Sequence, residues 1–153
     1  MSSIERMFRM IKTDYGAKVF LNGFNCAQAV FSSFSEDYGL DTISACRIAG
    51  GLGSGARAAE LCGAVSGAVL VIGLKYGQGA VDDTDAKQKC NNETEEFMRR
   101  FRAVNGNIVC RNLLECDITT TTGRENAVKK ELFTTRCKDL VVSAISILID
   151  MGY

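Results

Sequence analysis

One apolar stretch constrains the fold of this chain more than any other feature. Residues 61–74 carry no charged side chain over 14 positions. A helix of that length is too short to cross a bilayer, which takes about 20 apolar residues. It is apolar nearly all round, which is typical of a helix at the centre of a domain. The rest of the chain is therefore expected to pack around it.

Helical periodicity dominates the remaining sequence, and no convincing alternation of the kind expected for strands is present. The chain also contains no proline. Apolar residues recur at helical spacing in three further segments: Ile4, Phe8, Ile11, Tyr15 and Val19; Cys90, Phe97, Met98, Phe101 and Val104; and Cys137, Leu140, Val141, Ala144 and Leu148. We predict an all-α fold in which residues 1–153 form a single compact bundle of about five to seven helices around the central apolar helix.

Helix-capping residues predict where several helices begin. Ser2 with Glu5 has the spacing of a capping box. Asn25 is a good N-cap for a second helix that contains Cys26 and ends near Gly39, and Asp41 can cap a third. Asp82 or Asp83 opens a long polar helix that Gly106 closes. A short apolar segment begins at Cys110, and the threonine-rich residues 119–123 are predicted to form a loop.

Cysteine and histidine content limits the chemistry that this chain can perform. It has seven cysteines and no histidine. Serine–histidine or cysteine–histidine nucleophiles and histidine metal sites are therefore excluded. If the protein has a chemistry, sulfur is the leading candidate to carry it.

Charge and the N-terminal sequence bear on partners and compartment. Lys and Arg together number 18, as do Asp and Glu, so the basic excess of a nucleic-acid-binding surface is absent. The N-terminus lacks the apolar region of a secretory leader, which predicts a cytoplasmic protein without membrane insertion. Cysteines in a reducing compartment are more often free thiols, metal ligands or redox groups than structural disulfides.

Two cysteines are predicted to lie at helix N-termini. Cys26 follows the N-cap Asn25, and Cys62 lies near the start of the central helix. Free amide groups and the helix dipole favour a thiolate at such positions, so Cys26 is predicted to be more acidic than an ordinary thiol and Cys26 and Cys62 to form a reactive pair. The alternative is that each packs as a small apolar residue.

The other cysteines carry weaker signals. No CxxC pair occurs in the sequence, so any metal site or disulfide must be assembled by the tertiary fold. Cys137 lies on the apolar face of the last helix, between two cations that point elsewhere and support a thiolate only weakly. Cys46, Cys90 and Cys116 look least specialised, and Cys90 shares a core-facing stripe with two phenylalanines.

A glycine-rich turn precedes Cys62. Residues 53–58 fit a loose GxGxxA dinucleotide pattern, but the preceding segment is helical rather than a strand, and no lysine of a phosphate-binding loop follows. The glycines are expected to serve a tight turn with positive φ. Its bare amides could also hydrogen-bond a thiolate or a cluster sulfide near Cys62.

Several segments together resemble a known family. CGAVSG at residues 62–67, NCAQAV at 25–30, the glycines at 50–55, the CRNLL segment after Gly106, and Cys137 followed by Val141 and Ala144 are similar to the C_GCAxxG_C_C family, whose members are described as redox-active. The resemblance covers essentially the whole chain. It implies that Cys26, Cys62, Cys110 and Cys137 are the shared functional cysteines and leaves Cys46, Cys90 and Cys116 without a role. Cys116 is the alternative to Cys110 as the third shared cysteine.

The resemblance implies a redox function rather than a particular substrate. Relatives include part of the split-Soret cytochromes, which carry an iron–sulfur centre. The four cysteines are expected to gather at one pocket beside the turn at 50–55, as catalytic, cofactor-binding or metal-ligating groups. They would hold an iron–sulfur cluster or cycle between dithiol and disulfide, exchanging electrons with a redox partner protein. The alternative is a binding protein for zinc or copper(I). Neither the residues nor the resemblance defines an oligomeric state.

Overall fold

A computed structural model describes all residues, 1–153, and is all-α, without a strand. The α-helices are α1 Ser3–Leu21, α2 Cys26–Ser32, α3 Thr42–Ile48, α4 Gly63–Tyr76, α5 Thr84–Asn105, α6 Cys110–Leu114, α7 Thr121–Lys129 and α8 Arg136–Asp150. A 3₁₀ turn, Ser35–Tyr38, joins α2 to α3. Leu61 and Val109 form one isolated antiparallel bridge. No helix is both long enough and apolar enough to span a membrane.

The all-α prediction is confirmed, but the helices are more numerous than predicted. The segment after Asn25 breaks at Ser33 instead of continuing to Gly39, so that a separate 3₁₀ turn follows α2. The threonine-rich segment is helical from Thr121, because the Thr120 side chain accepts a hydrogen bond from the N–H of Gly123 and caps α7.

Helix α4 lies at the centre of the molecule and packs against α2, α5 and α8. A Cβ atom added to Gly67 would lie 2.7 Å from the carbonyl oxygen of Ala27, so the glycine allows α2 and α4 to approach backbone to backbone. Leu61 and Cys62, which we included in the apolar segment, precede the helix. Cys62 is its N-cap.

Helix α1 covers the outside of α8, with Gly16 buried against Ile145. The stripe Ile4, Phe8, Ile11 and Tyr15, which recurs at helical spacing, remains largely exposed to solvent. Periodicity indicated the helix correctly, but only the C-terminal part of α1 packs against the core.

The interior contains two separate apolar cores. The larger core has 23 buried residues, drawn from α2, α3, α4, α5 and α8 with Leu113 and Tyr153. The smaller core has 5 buried residues: Ala59, Cys110, Leu114, Ile118 and Ala127. It lies under α6 and α7 and faces the N-terminal ends of α2 and α4.

The glycine-rich turn has an unexpected backbone. Positive φ angles occur at Ser54 (54°), Ala56 (54°), Arg57 (63°) and Ala59 (54°), whereas Gly55 is the only glycine of residues 50–55 in that region. Left-handed conformations cost roughly 1–2 kcal/mol at a non-glycine residue. This turn therefore retains strain at four positions beside the N-terminus of α4.

Candidate functional site

Cys26 is the first residue of α2, and a capping network fixes its position. The Asn25 side chain accepts a hydrogen bond from the N–H of Gln28, and the Gln28 side chain accepts one from the N–H of Asn25. Asn25 also donates to the carbonyl oxygens of Ala49 and Gly50, at 3.3 and 3.0 Å. These bonds join the start of α2 to the glycine-rich turn and confirm Asn25 as the N-cap.

Cys62 lies at the start of α4, directly opposite Cys26. Its N–H donates to the carbonyl oxygen of Ile108 at 2.8 Å, which ties the start of α4 to the segment before α6. The next residue is Gly63, and any Cβ atom there would overlap the Cys26 sulfur. The Cys-Gly pair at 62–63 thus places one thiol and leaves room for the other.

Cys110 and Cys137 approach from the opposite side. Cys110 is the first residue of α6, and its N–H donates to the carbonyl oxygen of Glu60 at 2.6 Å. Cys137 is the second residue of α8, and its N–H donates to the carbonyl oxygen of Leu132 at 2.9 Å. Both side chains pack in or against the smaller core.

The structure places Cys26, Cys62, Cys110 and Cys137 around one cavity of about 240 Å³, which we call the cysteine cavity. Its walls are otherwise mainly apolar, and its lining includes Phe20, Phe24, Leu113, Leu114, Ile118, Phe133 and Leu140. Ser54 of the glycine-rich turn and Gly63, the first residue of α4, also line it.

The remaining three cysteines do not line this cavity. Cys46 borders a different depression on α3, and Cys90 packs against the larger core. Cys116 contacts the smaller core beside Cys110 without reaching the cavity lining. All seven thiols are free in this structure.

Burial dominates the electrostatics of the four thiols. It raises the pKa of Cys62 to about 12 and of Cys110 to about 11, and it raises the pKa of Cys137 as well. Mutual repulsion contributes, because Cys26 adds to the upward shift at each of the other three. The free thiols therefore hold their protons at neutral pH.

The predicted acidity of Cys26 is wrong. Burial raises the pKa of its thiol above the ordinary value and outweighs the opposing hydrogen bonds from the backbone at Ser54, Cys26, Ala27 and Ala64. The helix N-terminus supplies the expected amides, but the site lies too deep in the protein for them to prevail. The turn does offer an amide to a sulfur, as its bare amides suggested, although Ser54 faces Cys26 rather than Cys62.

The thiols surround a space instead of converging on a point. No group of three or more Cys, Asp or Glu side chains lies close enough together to hold a single metal ion. A preformed site with three or four ligands for one ion, as zinc requires, is therefore absent from this arrangement, whereas the cavity leaves room for a larger group between the sulfurs.

Two arginines that line the cysteine cavity were not identified from the sequence. Arg57 and Arg124 are the only charged residues that line the cysteine cavity, and no carboxylate does so. Arg57 belongs to the left-handed turn and Arg124 to α7. Only the position of Arg57 in the glycine-rich turn before Cys62 could have indicated that it lies near the cavity. No local sequence feature indicates this for Arg124.

A known family matches most of this chain. Residues 24–151 match the family described as "Putative redox-active protein (C_GCAxxG_C_C)". The chain belongs to this family. The matched region begins just before Cys26 and leaves the whole of α1 outside it. No curated protein and no solved structure matches the chain.

Proposed function

We propose that this protein is a small electron carrier that holds an iron–sulfur cluster through Cys26, Cys62, Cys110 and Cys137. The observation that carries this proposal is the cysteine cavity itself, where four thiols from four helices border one common space. Four cysteine thiolates are the usual ligand set of [2Fe–2S] and [4Fe–4S] clusters. When bound, such a cluster would accept and release single electrons.

The residues around the cavity fit a group of this kind. The spacing of the thiols does not suit a single ion, and the apolar walls would shield a cluster from solvent. Backbone hydrogen bonds from Ser54 and Ala64 to the Cys26 sulfur offset part of the rise in its pKa that burial causes. Hydrogen bonds of this type also influence the reduction potential of ligating sulfurs.

Charge supports the same assignment. Thiols bind metal as thiolates, so loading must release the protons that burial retains on these groups. The resulting negative charge would lie in an apolar cavity whose only charged lining residues are Arg57 and Arg124. These guanidinium groups would offset part of that charge.

Dithiol–disulfide cycling is a second candidate, favoured by the closeness of two thiols. The Cys26 sulfur lies against Gly63, the neighbour of Cys62. After burial, the charge of Cys26 is the largest contribution to the raised pKa of Cys62, larger than that of Cys110. Forming a Cys26–Cys62 disulfide would release two electrons and two protons to a partner disulfide, which would be reduced to two thiols. The raised pKa values make both groups slow nucleophiles at neutral pH.

Further properties follow from either redox chemistry. An electron carrier needs a redox partner protein. Because free thiols persist in a reducing compartment, we also propose that the protein is cytoplasmic. Zinc binding would require the thiols to move together, because no three of them can now share an ion.

Anaerobic reconstitution tests the proposal. The purified protein is treated with ferrous iron and sulfide under reducing conditions, and its visible absorption, iron content and acid-labile sulfide are measured. We expect stoichiometric iron and sulfide with broad visible absorption. Each of Cys26→Ser, Cys62→Ser, Cys110→Ser and Cys137→Ser should lower the yield or change the spectrum.

Matched controls come from the cysteines outside the cavity. Cys46→Ser, Cys90→Ser and Cys116→Ser should reconstitute like the parent protein. A colourless product that binds one zinc ion would contradict the proposal in favour of metal binding. Thiols lost in pairs on mild oxidation, without iron uptake, would favour dithiol cycling at Cys26 and Cys62.

A further inference from the structure

A second cavity adjoins the mouth of the cysteine cavity. This outer pocket has a volume of about 220 Å³ and is lined by Ser54, Arg57, Ile118, Thr119, Thr120, Thr121 and Arg124. Four of these residues, namely Ser54, Arg57, Ile118 and Arg124, also line the cysteine cavity. The two spaces therefore share a wall, and the outer pocket lies on a route from solvent toward the thiols.

The shared wall carries two arginines without acidic partners. The only polar side-chain contact of Arg57 is with the Ser54 hydroxyl, at 3.4 Å, and Arg124 lies over the Phe133 ring, 5.4 Å from its centroid. Neither forms an ion pair, and no Asp or Glu lines either cavity. By contrast, Arg111 nearby is paired with Glu60. The outer pocket is thus bordered by two arginines that form no ion pair, and the nearby carboxylate of Asp117 is engaged by the N–H and hydroxyl of the lining residue Thr119.

Backbone donors reinforce this charge. The outer pocket includes the start of α7, where the N–H groups of Thr121 and Thr122 have no acceptor in the protein. Such free amides, together with the positive end of the helix dipole, favour an anion. Arg57 reaches the pocket from the strained left-handed turn, with φ of 63°. Strain of this kind tends to persist at sites that bind or react.

We propose that the outer pocket binds the oxyanion group of a small molecule and holds it at the mouth of the cysteine cavity. Phosphate, sulfate and carboxylate groups share the chemistry that two guanidinium groups and free amides recognise. This assignment goes beyond the redox proposal. It does not depend on whether the thiols hold a cluster or form a disulfide, because the pocket lies outside the ring of sulfurs.

Titration of the metal-free protein tests the site directly. Inorganic sulfate, inorganic phosphate and acetate are added separately at constant ionic strength, balanced with chloride, and amide chemical shifts are followed by NMR. We expect saturable shifts at Ser54, Arg57, Thr121 and Thr122. Comparison of the three anions shows which oxyanion class the pocket prefers. In Arg57→Gln/Arg124→Gln, the sulfate and phosphate affinities should fall by roughly tenfold or more.

A second readout links the pocket to the thiols. Saturating sulfate or phosphate should slow alkylation of the cavity thiols by anionic iodoacetate more than alkylation by neutral iodoacetamide, and the double variant should lose this difference. Arg102→Gln is the matched control, because Arg102 is exposed, forms no ion pair and lines neither cavity.

Several outcomes would overturn the proposal. They are shifts that do not saturate, shifts centred elsewhere, and equal affinity in the parent protein and the double variant. The single variant Arg124→Gln keeps the test valid if Arg57→Gln disturbs the strained turn. The absence of any response to sulfate, phosphate and acetate would also contradict it. Failure of iron–sulfur reconstitution would leave this assignment unaffected.

Discussion

At the scale of single residues, the position of one thiol depends on a missing side chain. Gly63 has no Cβ atom, and the Cys26 sulfur lies where that atom would be. In this chain the glycine at position 63 therefore has a steric explanation. The glycine beside Cys62 is needed for the neighbouring cysteine, not for the conformation of its own backbone.

Gly63→Ala should displace the Cys26 sulfur. Overpacking of this kind typically costs about 1–3 kcal/mol of stability, and the variant should also lose cluster reconstitution. Urea unfolding and iron content measure the two effects. Gly73→Ala is the matched control on the same helix, since a Cβ atom there meets nothing within 4 Å. It should stabilise the protein by about 0.4–1 kcal/mol. Equal effects of the two substitutions would contradict the steric explanation.

Because folding raises the pKa values of the cavity thiols, the free energy of unfolding should fall at alkaline pH. Folding raises the pKa of Cys62 from 9.0 to about 12 and that of Cys110 from 9.0 to about 11. Near and above pH 9 the folded state therefore binds more protons than the unfolded state, so stability falls as pH rises. In metal-free protein, the urea midpoint should decrease as the pH rises from about 9 to about 11, the interval between the ordinary thiol pKa and that of folded Cys110. Cys62→Ala should decrease less steeply, and an unchanged slope would contradict this explanation.

At the scale of secondary-structure elements, local sequence rules identify where helices begin better than how the segments between them are arranged. The N-caps Ser2, Asn25, Asp41 and Asp83 all accept the expected backbone hydrogen bonds. Capping is a contact between residues three apart, so the sequence contains all that it needs.

The left-handed turn could not be predicted in the same way. Its positive φ angles fall on Ser54, Ala56 and Arg57, residues with no preference for that region. The turn is held from outside, for example by the Asn25 side chain bonding to Gly50 and by Cys110 donating to Glu60. Arg57 and Arg124 were missed as cavity residues for the same reason, because their positions depend on tertiary contacts.

Asn25 should prove important both to α2 and to this turn. Asn25→Ala removes the cap of α2 and both hydrogen bonds to the turn, which should cost about 2 kcal/mol or more. Asn25→Asp preserves an acceptor for the N–H of Gln28 but places a carboxylate against the carbonyl oxygens of Ala49 and Gly50. We therefore expect an intermediate loss of stability, measured by urea unfolding.

Asp41→Ala provides the comparison for this prediction. Asp41 also caps a helix, by accepting from the N–H of Ser44 at 2.9 Å, but it has no bond to the turn. Its removal should cost only about 1 kcal/mol and leave the cavity thiols unchanged in reactivity. Similar losses for Asn25→Ala and Asp41→Ala would show that the bonds to the turn contribute little.

At the scale of the whole molecule, the four cysteines lie on the boundary between the two cores. Cys62 belongs to the larger core and Cys26 packs against it, whereas Cys110 belongs to the smaller core and Cys137 packs against that one. The family resemblance indicated which cysteines to compare. Their division between two cores could not be predicted, because it depends on how α6 and α7 fold back over the ends of α2 and α4.

This division predicts how the molecule opens. With 5 buried residues against 23, the smaller core buries far less apolar surface, so its helices should unfold locally at a lower free energy than α4 and α8. Native-state hydrogen exchange of metal-free protein should show the amides of α6 and α7 exchanging faster than those of α4.

A group held by all four cysteines would link the two cores, so reconstitution should slow exchange in α6 and α7 selectively. In Cys110→Ser that added protection should be lost, while Cys90→Ser should retain it. Uniform protection across all helices, or none in α6 and α7, would show that the four thiols do not hold the cores together through a common ligand.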